Sequence, residues 1–362
     1  MTVIDVDADI VGLTASLIDI SSVSHHEAQL ADAVQAALSH LPALELTRCG
    51  NTLVARTMRG TGERVLLGGH LDTVPSAGNL PHRIEGGTLY GLGSVDMKGG
   101  VAIMLHLAGL LADGGDSALG NRDLTFVFYE CEEVASEFNG LERILRERRA
   151  LLECTAAVLL EPTGGLVEAG CQGTLRAEVA VAGERAHSAR SWLGVNAIHG
   201  AREVLERLER YEARRPMIDG LEFREGLNAV GISGGVAGNV IPDSCTVTVN
   251  FRFAPDRSVV QAEEHVREVF DGFDVMVVDA APGAMPGLRL DVIADVIAKV
   301  GKPPRAKLGW TDVARFSALG TPALNFGPGD PALAHAAAEG VPIAQLVQCA
   351  DVLRAWLFTQ RA

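Results

Sequence analysis

Two histidines and a series of acidic residues are the side chains of this sequence best suited to carry chemistry. His70 follows the apolar run RVLLGG in the motif GGHLDTVP, and Asp72 comes two positions later. On an extended chain these two side chains share a face, so Asp72 can orient the imidazole while His70 offers a nitrogen to a metal ion. A single His at a strand end is more often structural than a ligand, so the motif needs partners before it indicates a metal site.

The glycine-rich motif GLGSVDMKGG places Asp96 in a loop before a predicted helix. Glycines in such a loop let the backbone turn tightly and approach another group closely. The motif lacks the third glycine of a dinucleotide fingerprint, and it has no Lys-Thr or Lys-Ser pair of a phosphate-binding loop. We therefore set both nucleotide-binding interpretations aside.

Acidic residues follow two further apolar runs. The motif YECEEV carries Glu132 and Glu133 after DLTFVFY, and LLEP carries Glu161 after AAVLL. For one Glu, a solvated end of a strand is the simpler interpretation. Two adjacent carboxylates point in alternate directions, so one can bind a metal while its neighbour faces the substrate as a proton acceptor. With His335 in GPGDPALAHAAAEG, the chain offers two His and three carboxylates, which suits two metal ions that share a bridging carboxylate.

Composition limits the class of protein. The 362 residues carry a formal net charge of -15, which disfavours binding to nucleic acid or to an anionic membrane. The first residues, MTVIDVDADI, have no basic segment, and no run approaches the roughly 20 apolar residues of a membrane helix. Six widely spaced cysteines without a CxxC pair indicate reduced thiols. We expect a cytoplasmic enzyme that acts on a small molecule and binds any metal through His and carboxylates.

Strands that alternate with helices must position these residues. Apolar spacing predicts amphipathic helices over residues 9–20 and 27–41, followed by short strands that each end in one of the motifs. This order predicts an α/β sandwich with its site at the strand ends. From about Gly173 the pattern becomes β-α-β-β-α-β, typical of an inserted ferredoxin-like α+β domain. We predict a catalytic domain over 1–172 and 286–362 and a lid or dimerisation domain over 173–285.

The motifs, in this order, resemble those of the aminoacylase-like dinuclear zinc peptidases, and the resemblance covers essentially the whole chain. It implies two divalent ions per chain, zinc or cobalt, and a cis peptide bond after the bridging aspartate. Carried over by position, it assigns His70 and Glu161 to one metal, Glu133 and His335 to the other, Asp96 to the bridge and Glu132 to the general base.

Longer segments, among them FYECEEVASEFNGL and GGVAGNVIPDSCTVTVNFRFAPDRS, are similar to the branch of this family that hydrolyses N-succinyl-LL-2,6-diaminopimelate. The resemblance implies a homodimer formed through the lid, in which His187 stabilises the oxyanion in the partner's site. A buried, structural His187 packed beside Trp192 is the alternative. The substrate-binding residues implied are Arg190, Asn239, Arg252 and Thr311, although Arg252 also fits a strand residue that faces solvent.

One departure from this branch affects the substrate contacts. Where its better-known members have a Gly-Arg-Arg-Gly-like stretch, this chain has Gly170-Cys171-Gln172-Gly173, so contacts made by those arginines need another source. The same metal chemistry on N-acetylornithine or on a dipeptide stays open, because lid and loop residues determine specificity. A noncatalytic binding protein with this fold is the alternative from another class.

Overall fold

The computed structural model describes residues 4–112 and 118–358. The α-helices are α1 (Ile10–Ile18), α2 (Ala28–Leu38), α3 (Lys98–Gly109), α4 (Gly140–Glu147), α5 (Ala197–Glu209), α6 (Val259–Val269), α7 (Asp291–Val300), α8 (Val313–Ala318) and α9 (Ile343–Leu357). The strands up to residue 169 are β1 (Glu45–Cys49), β2 (Thr52–Arg56), β3 (Glu63–His70), β4 (Arg83–Glu85), β5 (Thr88–Tyr90), β6 (Arg122–Tyr129), β7 (Ala156–Leu159) and β8 (Glu168–Ala169). The later strands are β9 (Gly173–Ala182), β10 (Ala186–His187), β11 (Met217–Ile218), β12 (Leu221–Glu222), β13 (Gly226–Gly234), β14 (Val240–Ile241), β15 (Ser244–Phe253), β16 (Asp274–Ala281), β17 (Arg305–Ala306), β18 (Ala323–Asn325) and β19 (Gly340–Pro342).

The chain divides into two compact units. The first unit comprises Met1–Ala169, Gly287–Arg305 and Arg315–Ala362, and the second comprises Gly170–Pro286 and Ala306–Ala314. The role of the segment 173–285 as a lid stays a prediction.

An eight-stranded sheet forms the centre of the first unit, with the order β1-β2-β6-β3-β7-β18-β8-β17. The four adjacent strands β6, β3, β7 and β18 run parallel. β6 is buried along its whole length and β3 over its last six residues, as expected for parallel strands covered on both faces. Because the strands are parallel, their carboxyl ends lie at one edge of the sheet.

Helix α3 connects this core to the loop that carries Asp96. Ten of its twelve residues are buried, among them Val101, Ile103 and Met104, and it packs against β3, α1 and α9. A helix that is apolar on all sides belongs in a core, so the loop before it has a fixed anchor. The Nζ of Lys98 is buried as well and donates to the carbonyl of Ile20 at 2.7 Å.

The second unit is built on a four-stranded antiparallel sheet with the order β13-β15-β9-β16. Buried and more exposed residues alternate along β9 and β15, and α5 and α6 pack on the buried face around Phe251, Val204 and Val266. The succession β9-α5-β13-β15-α6-β16 is the predicted ferredoxin-like motif. The predicted fold class is confirmed.

Some local expectations differ from the structure. A helix-like segment was expected after His335, but residues 334–339 form turns and α9 begins only at Ile343. The helices predicted over 9–20 and 27–41 are α1 and α2, each shorter by a few residues. All six cysteines are free thiols, as predicted. Among the described residues, no helix has the length and apolar character needed to cross a membrane.

Candidate metal centre

Strand register brings three of the predicted ligands, His70, Glu133 and Glu161, to one edge of the parallel sheet. His70 ends β3 and pairs with Tyr129, which ends β6, so the acidic loop with Glu132 and Glu133 leaves the sheet beside His70. Gly68 pairs with Leu159 of β7, so His70 and Glu161 each lie two residues beyond a matched pair. The sequence predicted these residues at strand ends. Because the strand ends are in register, the residues that follow them lie near one another.

His70, Asp96 and Glu133 form a compact group of ligand atoms. One such atom from each residue lies within 4.8 Å of the other two. The carboxylate of Asp96 lies between two imidazoles, with Oδ1 3.1 Å from His70 Nε2 and Oδ2 3.5 Å from His335 Nε2. His335 Nε2 is also 2.7 Å from Glu133 Oε1. Glu161 is buried near the end of β7 but is not a member of the group of three.

The loop that holds Asp96 is fixed by a residue that the sequence interpretation missed. Glu339 is buried, and its carboxylate accepts the backbone N–H groups of Gly93, Val95 and Asp96 at 2.9–3.0 Å. The Asp96–Met97 peptide bond is cis, as predicted. Because Glu339 holds three N–H groups of this loop, the backbone that presents the carboxylate of Asp96 has little freedom to move.

Asp72 links the His70 strand to the acidic loop. Its Oδ1 accepts Glu132 N at 2.9 Å, and its Oδ2 accepts Glu133 N at 3.1 Å and Ser24 Oγ at 2.8 Å. The same Oδ1 lies 3.5 Å from His70 Nδ1, which contacts the backbone carbonyl of Asp72 at 3.0 Å. A ligand His that uses its other ring nitrogen in this way has a fixed orientation and leaves Nε2 for a metal.

The charges of the group are strongly coupled. Burial opposes a charged His70, but the carboxylates of Asp72 and Asp96 outweigh it and raise the pKa of His70 well above its usual value. The carboxylate of Asp96 raises the pKa of His335 to about 9. The pKa of Asp96 lies well below its usual range, because contacts with the two imidazoles outweigh its burial. Burial raises the pKa of Glu133. Protons and divalent cations compete for these ligand atoms, so metal binding releases protons here.

The donor set fits divalent metal ions. Imidazole nitrogens and carboxylate oxygens are the ligands that zinc takes in proteins when no Cys is used. Carboxylates that are buried close together repel one another and lose hydration. A bound cation offsets this cost in free energy. The two oxygens of Asp96 face different histidines, as a carboxylate shared by two ions requires.

The remaining predicted residues lie in the second unit. His187 is exposed, so the interpretation of it as a buried structural His beside Trp192 is wrong; its Nδ1 accepts Ala189 N at 3.0 Å. Asn239 is also exposed, and its carbonyl accepts Ser188 N at 2.9 Å, which places it next to His187. Arg252 is exposed, and its Nε donates to Asn250 Oδ1 at 3.1 Å.

Two further predicted substrate residues differ in exposure. Arg190 is exposed, whereas Thr311 is buried and its carbonyl accepts the thiol of Cys171 at 3.7 Å. Gln172, which stands where related proteins have an arginine, has a structural role, because its buried amide donates to the carbonyl of Arg224 at 2.6 Å.

The chain resembles known proteins over nearly its whole length. The model of peptidase family M20/M25/M40 matches residues 66–359. A protein of Mycobacterium tuberculosis named "Putative succinyl-diaminopimelate desuccinylase DapE" is 54% identical over 98% of this chain and 99% of its own. The succinyl-diaminopimelate desuccinylase of Corynebacterium glutamicum is 49% identical over 98% and 97%.

A solved structure supports the fold. The YXEP protein of Bacillus subtilis, described as a dinuclear metal binding peptidase from the M20 family, superposes with a TM-score of 0.72 at 16% identity. The match covers 96% of each chain. At this identity the similarity establishes the fold alone.

Replacing Glu133 with Gln tests its position in the group. We expect Glu133→Gln to lower the metal content of the purified protein by one ion per chain, because a neutral amide is a poorer zinc ligand than a carboxylate. Elemental analysis after dialysis measures this content. Glu137→Gln is the matched control, since Glu137 is exposed in the same loop. An unchanged metal content in Glu133→Gln would show that Glu133 is not a ligand.

Proposed function

The chain belongs to peptidase family M20/M25/M40, and on this premise we propose that it hydrolyses N-succinyl-LL-2,6-diaminopimelate to succinate and LL-2,6-diaminopimelate with two bound metal ions. The observation that carries the choice of substrate is the 49% identity, over 97% of its length, to the desuccinylase of Corynebacterium glutamicum. The group of His70, Asp96 and Glu133 supports the reaction type. This reaction belongs to the biosynthesis of diaminopimelate and lysine.

The proposed ligands are those that the family resemblance implies. His70 and Glu161 would hold one ion, Glu133 and His335 would hold the other, and Asp96 would contribute a carboxylate oxygen to each. The pairs His70–Asp96 Oδ1 and His335–Asp96 Oδ2, and the contact of His335 with Glu133, support this division. We propose zinc, with cobalt as the alternative, because the donor set is nitrogen and oxygen.

The residues of the site have separate tasks in amide hydrolysis. When bound, the ions polarise the amide carbonyl and make the attacking water more acidic. Glu132 takes the proton of this water and later delivers it to the leaving amine. Asp72 orients His70 and, by holding the N–H groups of Glu132 and Glu133, sets the direction in which both carboxylates leave the strand.

The second unit supplies the proposed substrate contacts. His187 stabilises the oxyanion, and Asn239, Arg190, Arg252 and Thr311 hold the substrate, with the arginines suited to bidentate pairing with its carboxylates. The exposure of His187 and its proximity to Asn239 support a role at a surface that meets substrate.

Exposed apolar side chains support a homodimer through the second unit. β13 forms one edge of the four-stranded sheet, and its Val230 and Ile232 are 61% and 56% exposed. On α5, Ile198 and Leu205 are also exposed. An unpaired strand edge and exposed apolar side chains are typical of a surface that binds another protein chain, and we propose that a second copy of this chain covers them. A cytoplasmic location stays a prediction.

A comparison of substrates tests the proposed function. The zinc-loaded protein is assayed with N-succinyl-LL-2,6-diaminopimelate, with N-acetylornithine and with a dipeptide. We expect a kcat/KM for the succinylated substrate at least about 100-fold above that of the others, because a site built to pair with the succinyl carboxylate rejects compounds that lack this group. If another amide is hydrolysed with the highest kcat/KM, that amide is the substrate and the proposed metal chemistry is unchanged. Absence of hydrolysis of all these amides by the zinc-loaded protein would favour a noncatalytic binding protein.

Glu132→Gln separates proton transfer from metal binding. The amide cannot accept the proton, so we expect kcat to fall by about 10²–10⁴-fold while both metals stay bound. Turnover and metal content are measured on the same preparation, with Glu137→Gln as the exposed control from the same loop. Near wild-type turnover in Glu132→Gln would remove Glu132 as the base.

Mixed dimers test whether His187 acts in the partner's site. His187→Ala and Glu132→Gln, each inactive alone, are mixed under conditions that exchange subunits. One site of each mixed dimer then has an intact base on one chain and an intact His187 on the other. With random exchange we expect about a quarter of wild-type activity.

The matched control for this experiment mixes Glu132→Gln with Glu133→Gln. Both substitutions fall in the same acidic loop of each chain, so mixed dimers of this pair contain no complete site and stay inactive. Native mass spectrometry verifies that mixed dimers form in both experiments. If His187→Ala and Glu132→Gln form mixed dimers without activity, His187 does not act across the interface.

A further inference from the structure

Glu27 is a buried acid that none of the sequence motifs contains. It lies directly before α2 and has no solvent-exposed surface. Acids at this position of a helix commonly accept N–H groups of the helix itself, but the side chain of Glu27 makes no such capping bond. Its Oε1 instead accepts the N–H of His25 at 3.0 Å, and the N–H and thiol of Cys131 at 3.2 Å each.

Both residues that donate backbone N–H groups to Glu27 have unusual backbone conformations. His25 has a φ of 71° and Cys131 a φ of 59°, in the left-handed region that favours glycine. Such conformations in non-glycine residues persist where their surroundings enforce them. One carboxylate oxygen that holds both N–H groups is such an enforcing contact.

The position of Cys131 connects Glu27 to the metal centre. Cys131 immediately precedes Glu132 and Glu133, whose N–H groups are held by Asp72. Three successive N–H groups of this loop are therefore held by two buried carboxylates. The segment that contains Glu27 also supplies Ser24, whose hydroxyl donates to Asp72 Oδ2 at 2.8 Å.

We propose that Glu27 is a positioning residue for the metal centre, because it fixes the left-handed turn at Cys131 that aims the carboxylates of Glu132 and Glu133. Glu27 acts through the backbone N–H groups that it accepts. The proposal rests on the proposed roles of Glu132 and Glu133. A second metal site made of Glu27, Glu130 and Cys131 is not favoured, since the Glu130 carboxylate already pairs with Arg143 and accepts Asn51 N.

Two substitutions separate the acceptor atom from the rest of the side chain. Glu27→Ala removes the oxygen that holds Cys131. Glu27→Gln keeps an acceptor in place of Oε1 and puts its NH₂ in place of Oε2, which has no hydrogen bond among the described residues. Asp123→Ala is the matched control. Asp123 is buried in the same unit and accepts backbone N–H groups of Arg59 and Thr61, but it lies at the opposite end of β6.

Zinc affinity, measured by competition with a chelator, is the first readout. We expect Glu27→Ala to bind zinc about 10–100-fold more weakly, as is typical when a residue that orients a metal ligand is lost. Glu27→Gln keeps most of the affinity, and Asp123→Ala keeps that of wild type. In Glu27→Ala we expect kcat to fall while KM changes little, because the proposed substrate-binding residues lie in the second unit.

Several results would overturn the proposal. They are wild-type zinc affinity in Glu27→Ala, an equal loss in Asp123→Ala, or a Glu27→Gln variant as weak as Glu27→Ala. Amide hydrogen exchange in the wild type gives a test that needs no variant: the N–H of Cys131 must exchange slowly, and fast exchange also overturns the proposal. Zinc affinity and exchange do not depend on which amide is cleaved, so failure of the proposed substrate would be recognised separately.

Discussion

Electrostatic repulsion among converging carboxylates is the constraint on which the first unit depends. Parallel strands and the loops beside them bring Asp96, Glu133 and Glu161 to one edge of a buried sheet, where water cannot solvate them fully. An isolated carboxylate in such a place takes up a proton or lowers stability. Here the two imidazoles of His70 and His335 share the charge of Asp96 and keep its pKa low. Divalent cations would compete with protons for the nitrogens of these imidazoles.

Buried carboxylates around the ligands perform a second task, because they hold backbone N–H groups and not metal. Glu339 accepts three N–H groups of the Asp96 loop, and Asp72 accepts two from the acidic loop. Hydrogen bonds from N–H groups stabilise a charged carboxylate and restrict the loop at the same time. Contacts with His70 and with these N–H groups outweigh burial and lower the pKa of Asp72, whereas burial raises the pKa of Glu339. This arrangement explains why the unit tolerates so many buried acids.

The sequence indicated the candidate ligands more readily than the residues that support them, and the reason is physical. His70, Glu133 and Glu161 each follow an apolar run, so the period of the strand and the alignment of parallel strand ends were enough to predict them at one edge of the sheet. In the structure His70 and Glu133 form a compact group with Asp96, and Glu161 is not a member of it. Glu339 and Ser24 bind backbone N–H or side-chain oxygen atoms that are distant in sequence, with no pattern of residue types to reveal them. The left-handed backbone at His335 likewise follows from tertiary contacts, and the helix expected after it was wrong.

The proposed specificity depends on charge in the second unit, where periodicity predicted the strands and helices but only the family resemblance named substrate-binding residues. A substrate with several carboxylates requires cations that remain available, and Gln172 cannot supply one, because it is uncharged and its amide holds the carbonyl of Arg224. Arg190 and Arg252 are exposed and carry the charge that Gln172 lacks. An arginine on the surface loses little hydration until a carboxylate arrives, and a bidentate pair then gives both affinity and orientation. The loss of arginine beside Gly173 is therefore compatible with recognition of a dianionic acyl-amino acid, provided that exposed arginines of this unit take over the pairing.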